Sequence, residues 1–186
     1  MRVITGLARG RRLETLPGED VTRPTSEKVK ESLFSAIQFD IEGRRVLDLF
    51  AGSGQLGIEA LSRGASSCIF VDKSTDAVKV IRQNLQHTGL SASAQVLGTD
   101  ALSYLTRPGE RFDLVFLDPP YAAELLLPAL SKVAPLVNDG GIIVCETEDG
   151  VELPQRVDRF AVARTYRFGR ICVWLYRYEI SEVNGV

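Results

Sequence analysis

The sequence predicts a single α/β domain in which a mostly parallel sheet is covered by helices on both faces. From residue 43 onwards, short apolar runs alternate with stretches of helical periodicity, which is the βαβ pattern of a parallel sheet. A glycine-rich turn joins the first of these runs to a helix. The last two runs are joined by only Gly169 and Arg170. They therefore form an antiparallel hairpin at the sheet edge.

Length and composition fit one compact domain. The 186 residues are 45% hydrophobic and 25% charged, close to globular averages. Apolar runs such as 113–117 and 141–145 are far shorter than the roughly 18 residues of a membrane-spanning helix, and the N-terminus has no apolar signal core. We expect a cytoplasmic protein of one domain, with residues 1–42 as an N-terminal extension and residues 43–186 as a Rossmann-like core.

The N-terminal extension is predicted to form a short β-hairpin and a helix. Residues 2–16 alternate weakly and break at residues 6–10, which is typical of a hairpin whose turn contains arginines. A loop follows at 17–20. Thr25 can then cap a helix, and Glu27 lies near its positive end. The apolar face of this helix consists of Val29, Leu33, Phe34 and Ile37.

The elements of the core follow in alternating order. Apolar runs predict the strands, and helical spacing predicts the segments between them. The predicted strands are 46–50, 68–71, 94–97, 114–117 and 142–145, with a final hairpin of 160–168 and 171–178. The predicted helices are 55–63, 75–86, 101–105 and 122–133.

Neither the cysteines nor the single histidine predicts a reactive centre. Cys68, Cys145 and Cys172 lie far apart in apolar runs, which is typical of buried, reduced thiols rather than of a zinc site or a redox pair. His87 lies at the end of a predicted helix, where we expect an ordinary surface position. We therefore expect no metal site.

Charge is unevenly distributed, although the formal net charge is only −2. Residues 1–12 contain four arginines and no acid, and residues 156–178 contain six arginines and one acid. If the two ends meet, they form one basic face suited to RNA phosphates; if not, they are scattered solvated arginines, and charge alone favours neither. The arginines expected to bind RNA are Arg9, Arg11, Arg12, Arg167 and Arg170.

The glycine-rich turn predicts a nucleotide-containing cofactor. Residues 52–57 have the pattern G-x-G-x-x-G directly after an apolar strand and at the start of a helix. Glycines there permit unusual backbone angles and the close approach of a ligand. Taken alone, the pattern fits a nicotinamide dinucleotide first. The residues expected to bind cofactor at this turn are Phe50, Ala51, Gly52, Ser53 and Gly54.

Acidic residues at strand ends change that preference. Asp48 precedes the turn, where a carboxylate disfavours a diphosphate and suits a cation such as the amino or sulfonium group of S-adenosylmethionine; a turn-stabilising role is the alternative. Asp72, followed by Lys73, lies where the ribose hydroxyls of either cofactor would bind. Asp100, next to Ala101, could hold the adenine amino group or cap a helix.

A second turn predicts the chemistry. Asp118, Pro119, Pro120 and Tyr121 directly follow an apolar strand, so this turn should open onto the same crevice as the glycines. The Asp118 carboxylate and the Pro119 carbonyl can accept the two hydrogens of a base amine, and Tyr121 offers a face for stacking. A proline-stiffened surface loop is the alternative. Together the two turns predict methyl transfer to an exocyclic amine of a nucleic-acid base.

The sequence resembles the RsmD-like bacterial 16S rRNA guanine-N2 methyltransferases along nearly the whole chain. The most specific element is Arg23-Pro24-Thr25 combined with the glycine turn, because other methyltransferases lack that segment. The likeness rests on residues 2–6, 9–12, 23–25, 29–34, 47–54, 56–57, 59–63 and 118–121.

This resemblance implies a fold, a reaction and a substrate. The fold would be that of class I S-adenosylmethionine-dependent methyltransferases, with a seven-stranded, mostly parallel sheet ending in an antiparallel hairpin. The N-terminal hairpin would help to bind RNA. The reaction would place one methyl group on the N2 amine of a guanine in 16S rRNA, on the small subunit or an assembly intermediate. Arg23, Pro24 and Thr25 would help to close the cofactor site.

Three other functions stay open at this point. The turn at residues 118–121 could equally hold adenine, which gives an adenine-N6 methyltransferase acting on DNA or RNA. The glycine turn alone would serve a nicotinamide-dependent oxidoreductase, although residues 118–121 then have no role. A catalytically silent RNA-binding factor would keep the arginines without needing that turn.

Overall fold

A computed structural model describes residues 1–16, 27–107, 109–119 and 122–179. Several predicted features lie outside these residues. They are the loop 17–20, the segment Arg23, Pro24 and Thr25 with its predicted helix cap, and Pro120 and Tyr121 of the predicted catalytic turn.

One eight-stranded sheet organises the described chain, in the order β3-β2-β1-β4-β5-β8-β7-β6. Strands β1 to β5 run parallel, and the last three are antiparallel. The mostly parallel sheet with a terminal hairpin is confirmed, but the predicted count of seven strands is wrong, because a two-residue strand pairs with the start of β7. The strands are β1 (Arg45–Leu49), β2 (Ser67–Asp72), β3 (Ala94–Gly98), β4 (Phe112–Leu117), β5 (Val137–Glu148), β6 (Arg156–Val157), β7 (Phe160–Phe168) and β8 (Ile171–Tyr178).

Helices cover both faces of this sheet. One face, here called the α1 face, packs against α1, α2 and α3 around residues such as Phe34 and Phe116, whose ring centroids are 5.7 Å apart. The opposite α5 face packs against α4 and α5 around residues such as Leu130. Strand order reverses between β1 and β4, which is where ligands bind in open α/β sheets. The helices are α1 (Glu27–Ala36), α2 (Gln55–Ser62), α3 (Thr75–Thr88), α4 (Ala101–Tyr104) and α5 (Ala122–Val133).

Residues 1–16 lie on the α1 face, with one bridge between Arg2 and Arg12 in place of two regular strands. Buried polar groups hold this segment to the helices. The N–H groups of Ile4 and Thr5 donate to the carboxylate of Glu59 in α2 at 2.8 and 3.0 Å. The predicted hairpin is present but short: Val3 donates to the carbonyl of Arg11 at 2.9 Å, and Leu13 donates to the carbonyl of Met1 at 2.9 Å.

A buried cation completes this attachment. The ammonium group of Lys30 in α1 donates to the carbonyl of Arg2 at 2.7 Å and lies 3.5 Å from the Glu59 carboxylate, with both side chains fully buried. Arg63 also donates to Glu59, at 2.8 Å. Burial lowers the pKa of Lys30, and the attraction of Glu59 opposes this change. The network therefore joins α1, α2 and the N-terminal segment.

The register between β7 and β8 shifts by one residue between Val162 and Arg164. Ala163 is the extra residue of this β-bulge. Before the bulge, Phe160 belongs to the core on the α5 face. After it, Tyr166 packs against the core on the α1 face.

The remaining sequence predictions concern reactive side chains and membranes. Cys68, Cys145 and Cys172 are buried and free, and His87 is exposed, as predicted. Among the described residues, no group of three or more His, Cys, Asp or Glu side chains is arranged to hold a metal ion. None of the described helices combines the length and the apolar content that a membrane crossing requires.

Candidate active site

The turn between β1 and α2 lies at the carboxyl edge of the sheet and has an unusual backbone conformation. Phe50, Gly52 and Gly54 have positive φ angles of 68°, 55° and 77°. Such an angle in a bulky aromatic residue costs of order 1–3 kcal/mol. The turn is fixed by hydrogen bonds from the Ala51 N–H to the carbonyl of Val71 at 3.0 Å and from the Gly54 N–H to the carbonyl of Ala51 at 2.7 Å.

The rest of the glycine pattern brings α2 against the sheet. A Cβ atom on Gly57 would lie 2.4 Å from a ring carbon of Phe70, so only glycine permits this approach. Ser53 is buried, and its carbonyl accepts a hydrogen bond from the side chain of Asn84 in α3 at 3.0 Å. The first two glycines therefore shape the turn, and the third sets the distance between helix and sheet.

Carboxylates from three neighbouring strands converge beside this turn. Asp48 in β1 is buried and accepts a hydrogen bond from the N–H of Gly57 at 2.9 Å. Burial raises the pKa of Asp48 to about 8; the hydrogen bond from Gly57 lowers it, and the nearby carboxylates of Asp118 and Asp72 raise it further. Such a concentration of acids opposes a bound diphosphate and stabilises a ligand that presents a positive charge.

Asp72 connects the glycine turn to the next turn along the edge. One of its carboxylate oxygens accepts from the N–H of Gly52 at 2.9 Å, and the other accepts from the N–H of Ser74 at 2.8 Å. Each oxygen has a further lone pair for a ligand hydroxyl. Lys73 between these residues is exposed.

Asp100 caps α4. Its carboxylate accepts hydrogen bonds from the N–H and the hydroxyl of Ser103, both at 2.8 Å, and these bonds lower its pKa. Asp72 pairs with Gly98, so Asp100 lies just beyond the same edge of the sheet. The capping role that the sequence left open is therefore present; Asp100 is exposed, and the adjacent Ala101 is buried.

Asp118 and Pro119 place the second turn beside the first. Leu49 at the end of β1 pairs with Leu117 at the end of β4. Asp118, the first residue after β4, therefore lies next to the start of the glycine turn. Asp118 is partly buried and lies close enough to Asp48 to raise its pKa, while Pro119 is buried. The two turns thus share one edge of the sheet.

Glu146 is a neighbour of Asp118 that the sequence analysis missed. Cys145 pairs with Leu117, and both side chains belong to the core of the α5 face. The next residue on each strand, Glu146 and Asp118, therefore lies beside the other on the α1 face. Glu146 is partly buried. Its acidic side chain after an apolar run was visible in the sequence, but its position next to Asp118 depends on the order of the strands.

The N-terminal arginines lie beside α3. Arg11 donates a hydrogen bond to the carbonyl of His87 at the C-terminal end of α3. One turn earlier in this helix, the side chain of Asn84 donates to the carbonyls of Glu14 and Ser53 at 2.9 and 3.0 Å, so α3 links the N-terminal segment to the glycine turn. Arg9 and Arg12 are exposed in the same segment.

The C-terminal arginines lie at the carboxyl edge. The carbonyl of Arg170, in the turn between β7 and β8, accepts a hydrogen bond from the N–H of Asp149 at 2.9 Å, just after β5 ends. Arg167 forms an ion pair with Asp149 at 3.5 Å. That the two basic ends form one face stays a prediction.

Comparison with known proteins gives consistent results over most of the chain. Residues 1–177 match the family described as Conserved hypothetical protein 95. The chain is 42% identical to "Putative rRNA methyltransferase YlbH" of Bacillus subtilis, covering 95% of this chain and 98% of that protein. It is 39% identical to Ribosomal RNA small subunit methyltransferase D of Haemophilus influenzae, covering 80% of this chain and 79% of that protein.

A solved structure agrees with these relatives. The methyltransferase yhhF of Escherichia coli, named as putative, superimposes with a TM-score of 0.84 at 32% identity and covers 96% of this chain and 98% of its own. The sheet order described above is that of the class I methyltransferase fold. On the strength of this match from residue 1 to residue 177, the chain belongs to the Conserved hypothetical protein 95 family, which is the RsmD family.

Proposed function

We propose that this chain transfers a methyl group from S-adenosylmethionine to the N2 amine of a guanine in 16S rRNA, on the small subunit or an assembly intermediate. The observation that supports this most directly is the convergence of Asp48, Asp72 and Asp118 beside the glycine turn. The relatives named as ribosomal RNA small subunit methyltransferases support rRNA as the substrate class.

The residues at the carboxyl edge fit this cofactor. S-adenosylmethionine would supply an electrophilic methyl group. Asp48 is suited to its cationic end, since burial among acids makes a positive ligand group favourable there. Asp72 and Lys73 would bind the ribose, and Asp100 with Ala101 would bind the adenine. Phe50 and Gly52 in the glycine turn are partly exposed, and Gly52 has no Cβ atom to oppose the approach of a ligand; Phe50, Ala51, Gly52, Ser53 and Gly54 would form the main-chain part of the site. We assign Arg23, Pro24 and Thr25 to the closure of this site.

Asp118 and its turn would orient the base amine. The carboxylate of Asp118 accepts one N–H of the amine, and the carbonyl of Pro119 accepts the other. Both bonds draw the nitrogen lone pair away from the ring and toward the methyl carbon. Transfer would form the N–C bond as the S–C bond breaks, and Asp118 would hold the proton that leaves the nitrogen. This mechanism relies on positioning and on charge stabilisation. Pro120 would stiffen the turn, and Tyr121 would stack on the base.

Glu146 favours guanine over adenine in this arrangement. Guanine presents both the N1–H and the N2 amine on one edge, whereas the N1 atom of adenine is an acceptor. Glu146 and Asp118 lie side by side on the α1 face, so two carboxylates can accept from N1 and N2 of the same base. Adenine would place its N1 lone pair against the Glu146 carboxylate, which is repulsive.

We assign the basic residues to the RNA backbone. Arg167 and Arg170 lie at the carboxyl edge and would contact phosphates near the target base. Arg9, Arg11 and Arg12 would contact RNA beside α3, through an N-terminal extension of residues 1–42 attached to a core of residues 43–186.

Binding of the cofactor product tests the first half of the proposal. S-adenosylhomocysteine should raise the melting temperature, because a ligand of the folded state stabilises it, and NADH should leave it unchanged. Stabilisation by NADH alone would contradict the assignment and favour an oxidoreductase.

The methylated nucleotide tests the second half. Small subunits from a strain that lacks the enzyme are incubated with the protein and labelled S-adenosylmethionine, and the labelled nucleotide is mapped. We expect one N2-methylated guanine in 16S rRNA. Label found only in adenine would support the alternative of an adenine-N6 methyltransferase.

A further inference from the structure

We propose that Tyr166, Phe168 and Arg164 of β7 form a stacking surface for an unpaired nucleotide of the RNA, close to the nucleotide that is methylated. This inference rests on the proposed function, since it assigns a contact to the same RNA substrate. The three residues are called the β7 platform below.

The two rings of the β7 platform are held parallel. The ring centroids of Tyr166 and Phe168 are 6.4 Å apart, with 14° between the ring planes. The guanidinium of Arg164 lies 5.8 Å from the centroid of the Tyr166 ring. Both rings are partly buried against the core of the α1 face, so packing fixes them while part of each stays open to solvent. A base that stacks here would meet groups that are already ordered, which lowers the entropic cost of binding.

The β7 platform lies on the same face of the sheet as the catalytic turn and at the same position along the strands. Across the sheet, Tyr166 pairs with Val173, and Val173 pairs with Glu146. Glu146 lies beside Asp118, as described above. Since strands are about 4.8 Å apart, these three steps place Tyr166 roughly 14 Å from Asp118 on the α1 face. A nucleotide near the target, rather than the target itself, would therefore reach the rings.

The charges around the β7 platform are arranged so that arginines lie on one side of it, where RNA phosphates would bind, and acids lie on the other. Arg164 is exposed on the platform, and Arg170 is exposed in the turn that follows Phe168. Toward the catalytic turn the surface is acidic instead, because Glu146 and Glu148 follow each other on the same face of β5. The bases would therefore point toward the acids and rings, and the phosphates would follow the arginines.

Among the described strands, the outer side of β7 is only partly paired. Within the described residues, β6 pairs only with Phe160 and Ala161 at the start of β7. The segment 164–168 extends beyond that pairing. Aromatic side chains beside an arginine, on a partly open strand, match the stacking mode by which proteins bind unpaired bases.

The test compares a double variant with matched controls. Tyr166→Leu with Phe168→Leu keeps apolar packing but removes both aromatic faces. Tyr166→Phe with Phe168→Tyr keeps both faces. Phe39→Leu removes an aromatic ring that is 92% exposed, in the segment between α1 and β1 and away from the carboxyl edge. Each protein is assayed for methyl transfer to small subunits and for affinity for S-adenosylhomocysteine.

We expect the Leu double variant to raise KM for the subunits by about tenfold or more, because stacking of each base contributes strongly to binding. The kcat at saturating subunits and the affinity for S-adenosylhomocysteine should stay within about twofold of the wild-type values. The aromatic double variant and Phe39→Leu should behave as the wild type does. In a short 16S rRNA fragment with 2-aminopurine next to the methylated nucleotide, the wild-type protein should quench fluorescence and the Leu double variant should not.

Two results would overturn this inference while leaving the proposed function intact. One is an unchanged KM and unchanged quenching in the Leu double variant. The other is weaker binding to subunits with unchanged binding to the RNA fragment, which would indicate contact with a ribosomal protein. If the wild-type protein methylates no rRNA at all, the proposed function itself fails.

Discussion

The buried carboxylate of Asp48 accepts a hydrogen bond from the N–H of Gly57, 2.9 Å away, and so links β1 to the first turn of α2. The same carboxylate faces the acids of the site. The turn-stabilising role that the sequence had suggested for Asp48 is therefore present, and binding of a cationic ligand group stays a prediction.

Ionisation of Asp48 should make stability depend on pH. Its pKa is about 8 in the folded protein, against an ordinary value of 3.8. Between these values the folded protein holds a proton that the unfolded chain has released, so the free energy of unfolding falls as pH rises. Asp48→Asn keeps an acceptor for Gly57 but cannot ionise. We expect the melting temperature of the wild type, relative to Asp48→Asn, to fall from about pH 5 to about pH 8.

The cofactor product should reverse this trend. Its amino group is positive and favours ionised Asp48, so the stabilisation of the wild type by S-adenosylhomocysteine should grow over the same pH range. Equal stabilisation at both ends of the range would show that no positive ligand group lies next to Asp48.

Removing the Asp118 carboxylate should separate catalysis from cofactor binding. We expect Asp118→Ala to lower kcat by about 100-fold or more, since an oriented acceptor in the site is lost. The affinity for S-adenosylhomocysteine, measured by calorimetry, should change little. Asp76→Ala is the matched control, because that side chain is 74% exposed in an ion pair with Lys79. An equal loss of both properties in Asp118→Ala would assign Asp118 to the cofactor.

Glu146 should affect the base and not the cofactor. In Glu146→Gln the amide retains an acceptor but loses its charge, and a hydrogen bond to a charged group contributes about 1.5–3 kcal/mol. We expect kcat/KM for small subunits to fall by about tenfold or more, with unchanged affinity for S-adenosylhomocysteine. Full activity on guanine in this variant would remove Glu146 from base recognition.

The third glycine of the turn should be needed for stability. In Gly57→Ala the new Cβ atom would lie 2.4 Å from Phe70 and 2.7 Å from the sulfur of Cys68. We expect the free energy of unfolding to fall by about 1–3 kcal/mol, as for other overpacked cores. In Gly98→Ala the nearest atom, on Val78, is 3.5 Å away, so urea denaturation should show a change within about 0.5 kcal/mol. Similar losses in both variants would point to backbone effects instead of the close contact.

The buried Lys30–Glu59 pair should be essential for the N-terminal segment. Glu59→Gln leaves the buried ammonium of Lys30 without its carboxylate, and we expect a loss of about 3–5 kcal/mol in the free energy of unfolding. Hydrogen exchange at Ile4 and Thr5, whose N–H groups bind Glu59, should also become faster. Glu27→Gln, at an exposed ion pair with Arg2, should cost no more than about 1 kcal/mol. A small effect of Glu59→Gln would mean that apolar contacts hold the segment.

Much of the fold could be predicted because periodicity reports local burial. The apolar runs located β1 to β5, β7 and β8 and indicated their direction. β6 was missed because Arg156 and Val157 are too few to form a pattern. Phe50 was assigned to a strand because it is apolar, yet its φ of 68° places it in the turn. Hydrophobicity does not report backbone angle.

The site could be predicted only where its residues adjoin in sequence. Asp48 lies four residues before the glycine pattern and Asp118 begins the second turn, and both lie toward the carboxyl edge of the sheet. Glu146 was missed because its contact depends on β5 lying next to β4. The contact of Arg11 with α3 and that of the Arg170 carbonyl with Asp149 also depend on tertiary structure, since a charge pattern does not show which element a residue meets.

The extra residue at Ala163 decides which way the last third of β7 faces. Alternation alone, counted from Phe160 on the α5 face, would turn Tyr166 and Phe168 toward α5 as well. Because Ala163 lies outside the ladder, both rings instead face α1 with their partners Val173 and Ile171. A ladder that paired Ala163 with Leu175 would place Tyr166 beside Cys172, and Thr165 and Arg167 would replace the rings above α1. One unpaired alanine, with no change in composition, thus exchanges a polar surface for an aromatic one.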